Sequence, residues 1–227
     1  PLFVLAFAVL SEYSGLDLAL ARLFYDEGTR TWPLKSNFIT SGILHSGGKD
    51  AVLCVMFAIL GVFILSFVWG RARRMRRGAG YLILGSLLGP GIVALLKATT
   101  RIYTPWSLEL FGGDKPYIRL FDHAPAGLPA GNAFPGGHSS GGFALLSVYF
   151  LLLAYNPKRR FYGLALGLGV GALFAAAQEM RGAHFLSHDL VSLVICWYSA
   201  LFVYCLMLGR RGNPWRPPHA GVSGFPG

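Results

Sequence analysis

Hydrophobic positions in this chain gather into long runs instead of alternating or forming a one-sided stripe. Residues 51–69, 78–96, 139–157, 161–178 and 190–209 are five windows of 18 to 20 residues without a single Lys, Arg, Asp or Glu. About 20 apolar residues in a helix cross the hydrocarbon core of a bilayer, so each window predicts a span. A shorter run, residues 1–10, ends at Ser11 and Glu12. At 1.5 Å per residue it reaches only about 16 Å. It predicts the outer end of a first spanning helix that starts before Pro1, with a signal-peptide remnant as the alternative.

Between these runs the pattern changes. In residues 12–50, Leu16, Leu18, Leu20, Leu23 and Phe24 mix with Asp17, Arg22 and Asp26, which predicts short amphipathic helices lying at the outer interface. Gly89-Pro90-Gly91 predicts a bend or break in the span 78–96. Residues 97–137, rich in Gly, Pro and aromatics, read as a long outer loop. There is no internal repeat and no second domain. The expected fold is all-α: one integral-membrane six-helix bundle over residues 1–227, with its core at about 50–209 and a cytoplasmic tail at 210–227.

Composition supports this class. Of 227 residues 54% are hydrophobic and 13% charged, with a mean hydropathy of +0.51. Soluble domains carry roughly 25% charged residues, so the chain lacks the polar surface to coat a globule. A disordered chain, a disulfide scaffold and a soluble α/β enzyme are excluded. Cys54, Cys196 and Cys205 fall inside apolar windows and have neither disulfide nor metal-ligand spacing.

The net charge of +10 is informative through its placement. Arg71, Arg73, Arg74, Arg76 and Arg77 follow the first window; Lys158, Arg159 and Arg160 precede the fourth; Arg210, Arg211 and Arg216 follow the last. These eleven basic residues have no acidic residue among them, whereas the alternate segments hold all ten Asp and Glu. This is the positive-inside pattern. It predicts both termini in the cytoplasm and argues against nucleic acid as a partner.

Polar groups then converge on the opposite side. Lys97-Ala-Thr-Thr-Arg101 closes one span, Pro135-Gly136-Gly137-His138 opens the next, and Arg181-Gly-Ala-His184-Phe-Leu-Ser-His188-Asp189 opens the last. Ionisable groups at membrane depth are costly, so their convergence marks a site. Lys97 and Arg101, four apart, share a helical face. Gly136 and Gly137 precede a helix start, where free N–H groups attract phosphate. Imidazoles beside cations suit covalent phosphoryl transfer, with one ring attacking phosphorus and another protonating the leaving oxygen.

These motifs resemble the type 2 phosphatidic acid phosphatase superfamily. Its pattern is Lys-x6-Arg-Pro, Pro-Ser-Gly-His and Ser-Arg-x5-His-x3-Asp on a six-helix membrane core. The likeness covers about residues 50–209, and Leu16–Asp26 also looks like bacterial members. Four positions depart from the pattern. Thr104 stands where the first arginine belongs and Gly136 where the serine belongs. Gln178 stands at the second arginine and His188 at the aspartate, with Asp189 one place on.

The resemblance implies catalytic His184, His138, His188 and Asp189, and phosphate contacts from Lys97, Arg101, Gly137, Ser139 and Arg181. Arg101 and Arg181 are expected to replace the missing arginines, and Ser139 or Ser140 the missing hydroxyl. A second register is open, in which Arg181 is the family arginine and the nucleophile's place falls on Ser187. His45 and His123 belong to no motif and read as surface or loop residues. Trp32, Trp106 and Trp197 read as interfacial or packing residues, Lys115 and Arg119 as solvated loop charges, and His219 as part of a disordered tail.

The implied activity is a metal- and cofactor-independent phosphatase acting on a phosphorylated membrane lipid at the periplasmic face of a bacterial inner membrane, through a phosphohistidine. The alternatives are a lipid phosphotransferase, as in relatives that pass phosphate from undecaprenyl diphosphate to lipid A, or a degenerate non-enzymatic lipid-phosphate binder. No obligate protein partner is legible.

Overall fold

In a computed structural model, which describes residues 1–209, helices account for the architecture and no strand is longer than an isolated bridge. The basic residues at 210, 211 and 216 and His219 lie outside the described residues. Five helices are long and apolar enough to cross a membrane: Phe38–Val68, Gly70–Thr99, Gly137–Tyr155, Pro157–Met180 and Leu186–Met207. A sixth span arises if the bent pair α1 (Leu2–Tyr13) and α2 (Leu16–Arg22), kinked by 68°, is one unit.

Two expectations are corrected. The interfacial stretch is shorter than 12–50, because residues 38–47 form a π-helical turn that runs straight into α3 (Gly48–Val68). Asn37 caps this helix, its side chain accepting from the Ile39 N–H at 2.8 Å. Helical charged residues Lys49 and Asp50 therefore belong to the span, which no apolar window could reveal.

The second correction concerns the break. Helix α4 (Arg76–Thr99) is continuous with Pro90 inside it. The interruption falls in the next span instead, where a 3₁₀ turn at Ala144–Leu146 separates α5 (Gly137–Phe143) from α6 (Ser147–Tyr155). Ser86, one turn before Pro90, donates to the Ala144 carbonyl at 3.3 Å and pairs with the Ser147 hydroxyl at 2.8 Å. Backbone freed by the irregular turn is thus satisfied by a neighbouring helix, as hydrocarbon requires.

Glycines let the helices close up. A Cβ at Gly142, Gly163 or Gly167 would meet backbone of a facing helix within 3 Å. This joins α5 and α6 to α7 (Arg160–Met180), small residues providing the contact area that lipid gives no other reason to bury. Helix α8 (Leu186–Met207) packs on α4, with Gly89 against Cys196.

The two ends of the bundle differ. At the basic end Arg77 donates to the Met207 carbonyl, Arg76 binds Ser66, and Gly78 lies against Tyr155. The other end carries a cap of loop aromatics, with Trp32, Tyr103, Phe111 and Phe185 buried in one cluster. Trp32 lies over Gly182, whose positive φ of 73° ends α7. There Ala183 N–H reaches the Gln178 carbonyl at 2.8 Å and Gly182 N–H the Glu179 carbonyl at 2.9 Å. This glycine termination satisfies the last carbonyls and turns the chain back into α8.

Candidate active site

Three loop-to-helix junctions meet beneath that aromatic cap. The return of the outer loop is held by Gly131 N–H on the Thr100 carbonyl at 2.9 Å and the Thr100 hydroxyl on the Phe134 carbonyl at 2.8 Å. The loop thereby delivers Pro135-Gly136-Gly137 to the start of α5. Gly136 N–H in turn donates to the His188 carbonyl at 3.0 Å. The chain ends around residues 97, 137 and 188 are therefore adjacent.

Two of the departures from the family pattern explain each other. Asp189 is 1% exposed, and its Oδ1 accepts the Ser139 hydroxyl at 2.6 Å. A Cβ on Gly136 would collide with that same carboxylate oxygen. The carboxylate, moved one residue along α8, fills the space that a serine side chain at 136 would need. Gly136 is thus the partner of Asp189, and the Ser139 hydroxyl locks α5 to α8. Ser139 is fully buried and donates to Asp189; it is a strut between the two helices and does not line the groove described below. Ser140 likewise donates to the Gly137 carbonyl at 2.6 Å.

His184 sits in the short connection before α8, 6% exposed, 5.9 Å ring to ring from His188. Burial, the charge of Lys97 and the neighbouring His188 hold its imidazole well below the usual histidine value. It is neutral at pH 7, with a lone pair to offer. The Ala133 carbonyl lies near it, but no hydrogen bond of full geometry reaches its Nδ1. His188 is fully buried between Phe134 and Phe185, at 5.3 and 5.4 Å, and neither ring nitrogen has a hydrogen-bond partner among the described residues. Ser187 instead turns to α2, where its hydroxyl and N–H both donate to Asp17. The position required for a nucleophile in the second register is thereby occupied structurally.

A groove of about 500 Å³ opens beside these groups, lined among others by His45, Lys49, Lys97, Gly137, His138 and Phe174. Lys97, half-buried, lies beside Gly137: a Cβ there would stand 3.1 Å from its Nζ. His138 stacks on Phe174 at 4.5 Å, and its Nε2 lies 3.1 Å from the Leu44 carbonyl. A carbonyl only accepts, so Nε2 carries the proton and Nδ1 is the position that exchanges one.

The two arginines go elsewhere. Arg101 is exposed and its Nε donates to the Leu128 carbonyl in the outer loop at 3.0 Å. Arg181 donates to the Lys35 carbonyl at 3.0 Å and to Gln178 Oε1 at 3.1 Å. The helical spacing of Lys97 and Arg101 does not hold, because α4 ends at Thr99 and Arg101 lies beyond it. Both guanidiniums organise the periphery in this structure.

His45 was missed by the sequence. It is not a surface residue: its ring lies 4.5 Å from that of His138, and its Nδ1 is 3.0 Å from Gln178 Nε2. The signal available was only that an imidazole preceded a charged pair, Lys49-Asp50, at the mouth of an apolar run. Trp32 and Trp197 are packing residues, while Lys35 stands over the Trp106 ring at 4.4 Å. Lys115 and Arg119 pair with Asp114 and Asp122.

A family model, the PAP2 superfamily, matches residues 78–211, from α4 through α8. No curated protein and no solved structure matches the chain.

Proposed function

Because this chain belongs to the PAP2 superfamily, we propose that it is a membrane lipid-phosphate phosphatase working through His184 as nucleophile. The observation that carries the reading is His184, buried just before α8 and within reach of the Lys97 charge, with Lys97 itself lining the groove together with Gly137 and His138 at the start of α5. His184 attacks phosphorus as the lipid alkoxide leaves, and His138, protonated at Nδ1, delivers that proton to the leaving oxygen. Water then attacks the phosphohistidine, giving its proton back to His138 Nδ1, and releases inorganic phosphate with the His184 imidazole restored. Lys97 and the Gly137 N–H stabilise charge on the equatorial oxygens as it develops. Asp189 and Ser139 position α5 and do not touch substrate. His188, in the place of the family aspartate, packs behind the nucleophile.

Apart from the two histidines, two lysines and Ser86, the groove walls are apolar, with Val52, Leu53, Met56, Leu87 and Leu145 among them. This suits a headgroup followed by hydrocarbon. The basic end of the bundle, with its arginines, supports an orientation in which the site faces the periplasm.

The test is phosphate release from phosphatidate, phosphatidylglycerophosphate, undecaprenyl diphosphate and lipid A, each as the single lipid with the purified protein. Release from at least one, lost in His184→Ala, is the expected result. Transfer that occurs only when a second lipid is added would make it a phosphotransferase. Absence of both would leave a lipid-phosphate binder. For orientation, Ala126→Cys in intact cells should react with a membrane-impermeant thiol reagent, and Arg73→Cys should not; the reverse would invert the topology.

A further inference from the structure

The groove is short of hydrogen-bond donors for a phosphoryl group. Both arginines donate to backbone carbonyls or to Gln178, and the Ser139 hydroxyl is committed to Asp189. Lys97 is a single flexible point charge. A group that meets this need comes from outside the matched region, on the π-helical turn ahead of α3.

The hydrogen-bond chain Arg181–Gln178–His45 has only one self-consistent direction. A guanidinium has donors and no acceptor, so the atom of Gln178 facing Arg181, at 3.1 Å, is its carbonyl oxygen. The amide nitrogen then faces His45 Nδ1, at 3.0 Å. An amide nitrogen only donates, so Nδ1 is the acceptor and the proton of neutral His45 resides on Nε2. Gln178 is 2% exposed, and it stands in the helical turn closed by Gly182. The orientation is therefore held by packing as well as by hydrogen bonds. Nε2 is on the far side of the ring from Gln178, without a protein acceptor among the described residues, and His45 lines the groove that also holds Lys97 and His138.

We propose that His45 is a phosphate-binding residue of this groove, presenting its Nε2–H to a substrate oxygen in a tautomer set by Arg181 through Gln178. The inference rests on the phosphatase reading above and extends it. Arg181 then contributes to the site without entering it, and Gln178 in the place of an arginine serves as the coupling between them. His45 is a binding group, with no proton to transfer in the reaction.

Three substitutions separate a donor from a packing ring. In His45→Gln the amide nitrogen falls near the place of Nε2; in His45→Asn it falls near Nδ1; His45→Phe keeps a ring against His138 and removes the donor. Gln178→Met leaves His45 in place and frees its tautomer. Each variant is assayed for kcat/KM with the best lipid of the panel, for Kd of orthovanadate as a phosphate mimic, and for its thermal unfolding midpoint. Loss of one hydrogen bond to a charged ligand corresponds to about 10- to 100-fold. His45→Phe and His45→Asn should fall by that amount in both kcat/KM and vanadate affinity. His45→Gln should stay within about fivefold of the wild type. Gln178→Met should lie between them with an unchanged midpoint, which keeps the proposal testable if a substitution at 45 unfolds the protein.

If His45→Phe matches the wild type in both measurements, or Asn and Gln behave alike, the donor role is overturned while the enzyme reading stands. If the wild type releases no phosphate from any lipid yet binds vanadate with the same ranking of variants, the donor role stands and the enzyme reading fails. A wild type that neither releases phosphate nor binds vanadate overturns both.

Discussion

The groove and the α5–α8 contact behind it are built in opposite ways. On the α5–α8 side buried hydroxyl and N–H donors are spent on one another: Ser139 on Asp189, Ser192 on the Gly136 carbonyl at 2.9 Å, and Gly136 N–H on the His188 carbonyl. Facing it, His45, Lys49 and the α5 residue His138, stacked on Phe174 of α7, are exposed or half-buried, and His45 Nε2 has no protein partner among the described residues. The donors named on the first side are committed to one another and fasten α5 to α8. The groove has unspent donors and serves to receive. Rigid support on one side and free donors on the other is the division that preorganised charge stabilisation asks for.

The largest effect that can sharpen this comparison comes from the reacting group itself. His184→Ala should reduce phosphate release at least ~10³-fold with membrane insertion unchanged, since the ring is chemical and not a packing element of a helix centre. His138→Ala should lose ~10²-fold or more, as general acids contribute on that scale. Retained activity in His184→Ala would move the nucleophile elsewhere.

Breaking the α5–α8 contact should read out in folding as well as rate. Gly136→Ala drives a methyl into the Asp189 carboxylate, and overpacking of this kind costs about 1–3 kcal/mol. Its thermal midpoint should fall, and turnover with it. Asp189→Ala in the same chain should recover part of the midpoint, because the colliding oxygen is gone. A double variant no better than Gly136→Ala would show that the two positions are not coupled. Gly141→Ala, which meets nothing within 4 Å, should leave the midpoint where it is.

A smaller effect separates the two arginines. Arg181→Ala should cost about tenfold, acting through Gln178, whereas Arg101→Ala should stay within a few-fold because it loses one exposed hydrogen bond. Equal losses of ~10²-fold in both would restore the clamp that their spacing suggested.

The smallest effect concerns pH. His184 is depressed below its ordinary value of 6.5 by burial, Lys97 and His188. A depressed imidazole stays neutral as pH falls through 6.5 and protonates only further down. The acid limb of kcat/KM attributed to the nucleophile should therefore lie below 6.5, and Lys97→Met should move it upward by removing a like charge. An acid limb at or above 6.5 that Lys97→Met leaves unmoved would contradict the buried, neutral nucleophile.

The spans, their order and the polarity of the two ends were legible in the sequence, because hydrocarbon imposes one length and one composition on any helix that crosses it. Lys97, His138 and His184 could be singled out as candidates for a related reason: charge and imidazole stand out at the ends of apolar windows. Four features escaped. Of the bend or break expected at Gly89-Pro90-Gly91, the break is absent, since α4 runs through Pro90; the interruption lies at Ala144–Leu146, where Ser86 meets the Ala144 carbonyl. Arg101, four residues from Lys97, left its predicted face because the helix stops at Thr99.

His45 and Gln178 came together across 133 residues of chain, and Gly136 met Asp189 across the α5–α8 contact. Sequence spacing orders side chains only along one helix, where i and i+4 share a face. Which face meets which neighbour is set by the packing of the glycine-lined helices, and that packing alone decided which cations turn outward and which imidazole enters the groove.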